Sequence, residues 1–373
     1  MLEFSAILSA VKPRQRTDQY VILAALYFMG AHEASVTSRQ VSDLLRLHLP
    51  NQTPSNINAS LRSYSRFVEL TDGAKPLRWR LTTNGIDQLR KISGLELLAK
   101  PDQGTYETDI AFVCALEHPE FTALQTATGG ASNWEIVGEV RYAHVYQATQ
   151  ISTVDGKRLK VVGTVATSMG LTAAAIATTQ LILQFRPRIV IMVGIAAGTR
   201  GGNKEFGDIL VADPSVDYNS GKVVQECGIR DFLPDPYPIG LNARLRSVIQ
   251  KYRAPNPLFA WIKSQWRGNT PPALIRLHLG PLGAADQVID DESRIVEVQK
   301  NWRKLIGVEV ETYGVYRACH EAPDPKPRFA SFKSVCDFAA QKSDSWQEYA
   351  AYTAARFAVE FLRKEWSAIW PNI

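Results

Sequence analysis

The sequence has few cysteines, no long apolar run and no leader-like start, and each absence excludes a class of protein. Its four cysteines are widely spaced and form no Cys-X-X-Cys pair, which argues against a zinc site or a disulfide framework and fits a reducing compartment. No run of about 18 apolar residues appears, so we expect no transmembrane helix. The first residues lack the basic and then apolar layout of a signal peptide. We therefore expect a cytoplasmic protein with no membrane partner, no metal and no cofactor.

The net positive charge of the chain comes from its first hundred residues. Residues 1–100 contain 13 Lys and Arg and 8 Asp and Glu. Residues 101–373 contain 29 basic and 29 acidic residues, so their charges cancel. The whole net charge of +5 therefore belongs to the N-terminal part. Such an asymmetry is typical of a segment that binds nucleic acid or another acidic partner, although a solvated surface accounts for an excess of this size about as well.

The pattern of the first hundred residues predicts helices, a hairpin and a last helix. The apolar stretch 20–28 has the composition of a core helix, and Pro54 fits the first turn of a helix over about 54–65. Residues 67–70 and 77–81 alternate between apolar and polar side chains, as the two strands of a hairpin do. This order of elements resembles a winged-helix domain.

Within that resemblance, the helix at about 54–65 is the recognition helix and the hairpin is the wing. Five exposed side chains are donors suited to phosphates and base edges. They are Asn58, Arg62 and Arg66 on the helix and Arg78 and Arg80 on the wing. Winged helices also serve as protein-interaction modules, because a fold does not fix a function. A nucleic acid and a partner protein therefore both stay open as ligands of this domain.

After residue 104 the pattern changes to alternating strands and helices. A length of 373 residues predicts two domains, which we place at residues 1–100 and 105–373 with a linker between them. Residues 188–195 form a continuous β-branched run, as expected for a strand buried on both faces, and residues 171–185 predict a long helix. The second domain is therefore an α/β domain with a central, mostly parallel, twisted sheet flanked by helices. Residues 227–276 are rich in Pro and aromatic residues and predict an insertion or lid.

Acidic residues follow three of the predicted strands. Glu309 and Glu311 lie at the end of the strand near residue 308, and Asp337 lies at the end of the strand near residue 335. A third strand that ends in acidic residues lies near residue 117. Buried charge is expensive unless it is paired, hydrogen-bonded or used. In α/β sheets the carboxyl ends of the strands are where ligands bind. One such segment is commonly a strand that ends in solvated acids, but three of them favour a site.

Small residues follow the best-defined strand. Gly194, Ile195 and Ala196 let backbone N–H groups approach a ligand closely, although many such turns have no ligand. The stretch is not Gly-X-Gly-X-X-Gly and lacks the Lys-Ser/Thr of a P-loop, so the common triphosphate motif is absent.

Taken in order, these segments resemble the nucleoside phosphorylase superfamily, and among its members the methylthioadenosine/S-adenosylhomocysteine nucleosidases. The resemblance covers residues 109–365, and five segments support it. They are residues 115–120, 193–198, 206–213, 308–311 and 336–339, the last followed by 345–351. It implies cleavage of an N-glycosidic bond, which builds positive charge on the ribose and negative charge on the departing base.

The resemblance assigns a role to each acid. Glu311 matches the glutamate that binds the ribose and stabilises an oxocarbenium-like transition state. Asp337 matches the aspartate beside the purine N7, which acts as general acid once it is protonated. Glu120 is assigned to position and deprotonate water, with Glu117 as the reserve candidate because the match needs a one-residue offset.

The remaining substrate-binding candidates are backbone groups and pocket-lining side chains. They are Gly194, Ile195, Ala196, Val288, Glu309, Val310 and Cys336. Glu309 can instead have a purely structural role in its loop, and Val288 can instead be an ordinary core residue. Cys336 stands where the nucleosidases usually have Ser, and a thiol is the weaker hydrogen-bond partner.

We therefore predict hydrolysis of a purine nucleoside or nucleotide, with an adenine base favoured. A carboxylate at the end of the first strand repels a phosphate dianion and favours activated water. Arg200, Lys204 and Lys222 remain candidates to bind substrate phosphates. By resemblance we also expect a homo-oligomer or a larger complex, and a regulated effector of bacterial antiphage defence. The alternatives are a phosphorylase and a nucleoside-sensing DNA-binding regulator.

Overall fold

The chain folds into two units, Met1–Thr105 and Tyr106–Ile373, each with a hydrophobic core of its own. The structure is a computed structural model, and it describes residues 4–31, 35–72, 76–95, 106–138, 143–200, 203–226, 229–339 and 344–371. Within these ranges, no helix combines the length and the apolar character needed to cross a membrane.

In its described residues, the first unit combines five α-helices and two short 3₁₀ helices with a small antiparallel sheet in the order β1-β3-β2. Its elements are α1 (Phe4–Ser9), α2 (Asp18–Phe28), β1 (Val36–Thr37), α3 (Ser38–His48), α4 (Ile57–Ser63), β2 (Val68–Asp72), β3 (Arg78–Leu81) and α5 (Thr83–Ser93). Eight consecutive residues of α2, from Tyr20 to Tyr27, are buried, so this helix is the core of the unit. Thr37 and Gln40 form a reciprocal capping box at the start of α3.

The prediction that Pro54 lies in the first turn of a helix is wrong. The helix α4 begins at Ile57, and the side chain of Asn56 caps it by accepting a hydrogen bond from the Ala59 N–H. An asparagine oxygen satisfies an otherwise unpaired N–H group at a helix start, which Pro54 has no side chain to do. The short helix α4 therefore starts after Asn56, which caps it, and not at Pro54.

The second unit is a layered α/β structure. Its first elements are β4 (Thr108–Cys114), α6 (Thr122–Ala127), β5 (Glu135–Val137), β6 (Tyr146–Ser152), β7 (Arg158–Val165), α7 (Leu171–Phe185), β8 (Pro187–Gly198) and β9 (Ile209–Asp217). The remaining ones are β10 (Gly221–Glu226), β11 (Ile229–Pro234), α8 (Ala243–Gln250), α9 (Pro257–Ser264), β12 (Leu277–Ala284), α10 (Glu292–Asn301), β13 (Gly307–Glu309), α11 (Thr312–His320), β14 (Arg328–Asp337) and α12 (Gln347–Ile369). A single irregular helical turn, Glu117–Phe121, joins β4 to α6.

Nine strands form the main sheet, in the order β13-β12-β9-β14-β8-β4-β7-β6-β5. The strands β4, β8 and β14 are parallel neighbours, whereas β5, β6 and β7 pair antiparallel. The strand β13 also pairs with β8, which closes one side of the sheet into a ring. The predicted α/β class is confirmed, with more antiparallel pairing than the sequence pattern indicated.

The strand β8 is buried on both faces, as its β-branched run predicts. Ile189, Ile191 and Val193 belong to the core cluster that includes the apolar face of α12. Val190 and Met192 belong to the opposite cluster, which includes side chains of α7 and α11. Because both faces are covered, ligands can approach this sheet only at the strand ends.

Of the predicted insertion or lid over 227–276, the lid alternative is wrong where the segment forms α8 and α9. The hairpin of β10 and β11 is separate from the main sheet, but α8 and α9 place apolar side chains in the main core. These side chains are Leu245, Val248, Ile249, Leu258, Phe259 and Ile262. Asparagine caps and the Pro at the start of α9 make these helices regular in spite of the unusual composition.

Candidate active site

A cavity of about 310 Å³ opens at the carboxyl ends of β4, β8, β13 and β14. Four carboxylates line it, namely Glu120, Glu309, Glu311 and Asp337. The other lining residues are mostly apolar and include Ala115, Leu116, Met169, Ile195, Ala196, Ala197, Val288, Ile289, Val308, Val310 and Cys336, with Gln287 and Gln347. No Lys, Arg or His is among the described residues of the lining.

Glu120 is buried and its carboxylate is held by the backbone. Its Oε2 accepts hydrogen bonds from the N–H groups of Ala115 and Leu116, at 2.8 and 3.0 Å, and its Oε1 accepts one from Ile195 at 2.9 Å. The carboxylate lies over Gly194, where a Cβ atom would come within 2.2 Å of Oε1. Gly194 therefore does not line the cavity as predicted, but it provides the room that Glu120 needs.

Glu309 organises the turn that presents Glu311. Its carboxylate accepts hydrogen bonds from the N–H of Glu311 at 3.0 Å and from the N–H of Thr312, the first residue of α11, at 2.9 Å. It thus satisfies unpaired donors at a helix start, where negative charge is favourable. Glu309 therefore positions the turn that contains Glu311, and it also lines the cavity.

A buried lysine lies beneath the cavity. Lys333 on β14 is fully buried, and its Nζ lies 3.1 Å from Oε2 of Glu311 and 3.5 Å from Oε2 of Glu309. Lys333 pairs in register with Gly194 of β8, which brings its ammonium group close to Glu120 as well. The sequence analysis missed this residue. The available signal was a lysine that follows Phe332 in the stretch leading to Val335 and Cys336, a position where an unpaired buried charge is too costly.

Burial and mutual repulsion shift the proton affinities of this cluster. Burial raises the pKa of Glu120 above its ordinary value, against the opposing effect of Lys333. Burial also raises the pKa of Glu309 to about 7, again with Lys333 opposing and Glu311 adding to the rise. For Lys333 burial lowers the pKa, but the three glutamates outweigh it and the net shift is upward. The cluster thus contains a cation, Lys333, whose pKa is raised further, and one carboxyl group, Glu309, whose pKa lies near neutrality.

Asp337 lies at the other side of the cavity and is half-buried. Its Oδ1 accepts a hydrogen bond from the Ala339 N–H at 2.7 Å, and the thiol of Cys336 lies 3.3 Å from Oδ2. Ala339 has a φ of 56°, a left-handed conformation that directs its N–H back towards the carboxylate. The carboxylate is therefore fixed in orientation while one side faces the cavity.

The structure brings Glu120, Glu311 and Asp337 to one cavity. Ile195, Ala196, Val288, Val310 and Cys336 line the same cavity. Glu117, the reserve candidate, is exposed and is not among the lining residues.

The three candidates for binding substrate phosphates lie elsewhere. Arg200, Lys204 and Lys222 are not among the described lining residues. The Nζ of Lys204 instead lies 3.2 Å from the hydroxyl of Thr199.

The five candidates for nucleic-acid binding all lie in the first unit. Asn58, Arg62 and Arg66 are exposed on and after α4. On the hairpin β2–β3, Arg80 lies opposite Glu69, and Arg78 opposite Asp72. Arg80 therefore has an acid directly opposite it on the same face of the hairpin.

Replacing Gly194 with alanine tests the geometry around Glu120. The added methyl group would collide with a carboxylate held by three N–H groups, so we expect the free energy of unfolding to fall by about 1–3 kcal/mol. Urea denaturation measures this change. The matched control is Gly240→Ala, where the new Cβ would meet no atom closer than 3.3 Å. Equal stability of the two variants would show that the space over Gly194 is not as tight as described.

The raised pKa of Glu309 predicts a pH-dependent stability. The folded protein keeps the proton on Glu309 up to about pH 7, whereas the ordinary value is 4.5. The stabilisation from this proton is complete below the ordinary pKa and is lost as the pH rises towards 7, with a slope of at most about 1.4 kcal/mol per pH unit. Relative to Glu309→Gln, the wild-type free energy of unfolding should therefore decrease over this window and then level off.

The control for this titration is Glu117→Gln, which removes an exposed glutamate of the same second unit. Its curve of unfolding free energy against pH, measured between pH 4.5 and neutrality, gives the background against which the Glu309→Gln curve is compared. A Glu309→Gln curve that runs parallel to that of the wild type would contradict the pKa shift.

Comparison with known proteins agrees with this architecture. Residues 109–363 match the phosphorylase superfamily. A Sinorhizobium fredii protein, y4jS, is 32% identical to this chain over 254 residues, which are 68% of this chain and 60% of that protein. ATP nucleosidase Cap17 of Escherichia coli (strain KTE188) is 25% identical over 233 residues, which are 59% of this chain and 45% of that protein. The chain thus matches about half of the length of these relatives.

A solved structure has the same fold. The 5′-methylthioadenosine/S-adenosylhomocysteine nucleosidase from Neisseria meningitidis, in complex with methylthio-immucillin-A, superposes with a TM-score of 0.51 at 19% identity. The superposition covers 69% of this chain and 99% of that one. The family predicted from the sequence is confirmed, since the matched residues make up more than half of the chain. The chain belongs to the phosphorylase superfamily.

Proposed function

We propose that the second unit hydrolyses the N-glycosidic bond of a purine nucleoside or nucleotide with an adenine base. The observation that supports this most is the convergence of Glu120, Glu311 and Asp337 on one cavity at the strand ends. Three carboxylates with different environments can supply a base, an electrostatic stabiliser and an acid. Two of the similar proteins reported above are named nucleosidases, which points the same way.

Each carboxylate has a role in the proposed reaction. Glu120 accepts a proton from a water molecule, whose oxygen attacks C1′ of the sugar. The C1′–N9 bond breaks, its electron pair passes to the base, and protonated Asp337 donates to N7. Glu311 faces the sugar, where positive charge develops in the transition state, and stabilises it electrostatically. Lys333 and Glu309 hold Glu311 in place.

The site geometry favours water over phosphate as the acceptor. The N–H groups of Ala115, Leu116 and Ile195 could bind an anion, but Glu120 uses all three. Lys333, the cation beneath the cavity, is already paired with glutamates. A phosphate dianion would also meet the negative charge of the lining carboxylates. These contacts support hydrolysis rather than phosphorolysis.

Product analysis tests this proposal. The full chain is incubated with adenosine, methylthioadenosine, AMP and ATP, each with and without inorganic phosphate, and the products are separated by chromatography. Free adenine together with a free sugar is the expected result in both buffers. A sugar 1-phosphate formed in phosphate would indicate phosphorolysis, and intact substrates throughout would contradict the proposed activity.

Two substitutions test the assigned acid and base. Asp337→Asn and Glu120→Gln each remove one proton-transfer group, so each should lower the rate of adenine release by about 10²–10⁴. Because the introduced amide keeps an oxygen for the Ala339 N–H, binding of adenosine by Asp337→Asn should persist in calorimetry. The matched control is Glu117→Gln, whose rate should stay near that of the wild type. If Glu117→Gln and Glu120→Gln lowered the rate of adenine release equally, the assignment of Glu120 as the base would be wrong.

We further propose that the first unit is a winged-helix domain that receives a signal. A catalytic unit that destroys a nucleotide, joined to a recognition module, suits an effector of bacterial antiphage defence with a silent resting state. Residues 44–68 contain no Asp or Glu and include Arg46, Arg62 and Arg66. This composition favours nucleic acid as the partner of residues 44–68. The homo-oligomer expected from the family resemblance stays a prediction.

Salt-dependent binding tests the nucleic-acid surface. With the full chain and a fluorescent DNA duplex, the double variant Arg62→Ala, Arg66→Ala should bind more weakly, and the slope of log Kobs against log salt should decrease by about 2. The variant Arg78→Ala, Arg80→Ala removes the same charge from the hairpin, where acids lie opposite, and should reduce the slope less. The proposal would be contradicted if the wild-type protein bound neither the DNA duplex nor an RNA of the same length.

A further inference from the structure

Two loops at the open end of the cavity are connected by one hydrogen bond. The first loop, residues 166–170, joins β7 to α7, and the second loop, residues 285–291, joins β12 to α10. The carboxylate of Asp286 accepts a hydrogen bond from the N–H of Leu171, the first residue of α7, at 2.6 Å. Among the described residues, no other hydrogen bond links the second loop to the first loop or to the start of α7. We propose that Asp286 is a positioning residue, which sets the width of the cavity mouth by holding the two loops together.

The start of α7 has no side-chain cap from its own sequence. Its N-cap residue is Gly170, which has no side chain, although N–H groups at a helix start need an acceptor. Asp286 provides that acceptor from a position 115 residues further along the chain, and its negative charge is favourable at a helix start. Gly170 makes room for it, because a Cβ atom there would lie 2.7 Å from Oδ1 of Asp286. The first loop is thus shaped to receive a side chain of the second loop.

Both loops contribute side chains to the cavity lining. Met169 comes from the first loop, whereas Gln287 and Val288 directly follow Asp286 in the second loop. Met169 and Val288 are 56% and 60% exposed, so they lie at the mouth of the cavity and not on its floor. The strands that precede the loops, β7 and β12, are not neighbours in the main sheet, so strand pairing does not join the loops. The hydrogen bond of Asp286 therefore fixes the distance between Met169 and Val288.

The start of α7 is anchored on its other side by α11. A Cβ atom at Gly314, in the first turn of α11, would lie 2.1 Å from the carbonyl oxygen of Leu171, so the two helices contact each other through their backbones. Loss of the Asp286 carboxylate should therefore release the second loop and leave α7 in place.

The effect on the reaction rests on the proposed function. Asp286 is exposed and is not among the lining residues, so it does not contact the substrate itself. The side chains that it positions, Gln287 and Val288, carry no transferable charge or proton in the proposed reaction. They contribute equally to binding of the substrate and of the transition state, so their displacement should raise KM and leave kcat nearly unchanged.

The test compares Asp286→Ala with Asp291→Ala, since each variant removes an aspartate that caps a helix start. Asp291 caps α10 by accepting a hydrogen bond from the Ser293 N–H at 2.8 Å, and it is not among the lining residues. Both variants should lower the melting temperature by about 2–4 °C. For the nucleoside that the wild type cleaves, Asp286→Ala alone should raise KM, by about tenfold, with kcat within about twofold of the wild-type value. Equal KM values in the two variants would overturn the proposal.

The conservative variant separates the hydrogen bond from the charge. Asp286→Asn keeps a side-chain oxygen for the Leu171 N–H, so its KM should stay within about threefold of the wild-type value. A KM as high as that of Asp286→Ala would contradict a role through this hydrogen bond. If Asp286→Ala cannot be purified, Gly170→Ala takes its place, because the new Cβ atom crowds Asp286 from the first loop. An unchanged KM in Gly170→Ala would then overturn the proposal.

Hydrogen exchange separates this proposal from the proposed function. Measured by mass spectrometry on the full chain, amide exchange at Leu171 and in residues 285–289 should be about tenfold faster in Asp286→Ala than in the wild type. Asp291→Ala should leave the exchange of Leu171 unchanged. If the wild type releases no base from any nucleoside, the proposed function fails, but the exchange rates still decide whether Asp286 holds the two loops together. Wild-type exchange rates in Asp286→Ala would overturn the proposal whether or not the protein is active.

Discussion

The buried ammonium group of Lys333 is the interaction on which the cavity depends. Transfer of a single charge out of water costs several kcal/mol, and only close, well-oriented counter-charges compensate for it. Glu311 and Glu309 provide them at 3.1 and 3.5 Å, and Glu120 adds a third interaction. The dependence is mutual, because buried glutamates without a cation would have to take up protons. The acids of the cavity therefore rely on a residue that is not part of its lining.

Strand register turns this charge cluster into a defined geometry. Parallel pairing of β14 with β8 sets Lys333 opposite Gly194, and the missing side chain of Gly194 leaves the space that Glu120 fills. Glu120 in turn binds the ends of β4 and β8 together through three backbone N–H groups. One lysine, one glycine and one glutamate from different elements are thus mutually required. A change in any of them is transmitted to the other two by direct contact.

The sequence predicted those features that depend on local pattern. The β-branched run of β8 and the helix α7 follow from periodicity, and the acids at strand ends indicated where the cavity lies. Lys333 was missed because its partners are distant in sequence and no local pattern predicts a buried cation. For the same reason the alternation of Glu309 and Glu311 did not reveal which carboxylate binds backbone N–H groups. The start of α4 was misplaced because Pro54 and Asn56 are both good signals, and only the folded backbone selects between them.

The proposed reaction needs two opposite electrostatic environments at the ends of one short bond. The side of Glu311 is buried and tied to Lys333, which places a carboxylate with its counter-ion beside the developing cation. The side of Asp337 is half-buried, and Ala339 and Cys336 fix the orientation of its carboxylate towards the departing base. Because β8 pairs with both β13 and β14, one strand sets the spacing between these two environments. The spacing between these acids thus comes from the pairing of strands in the sheet.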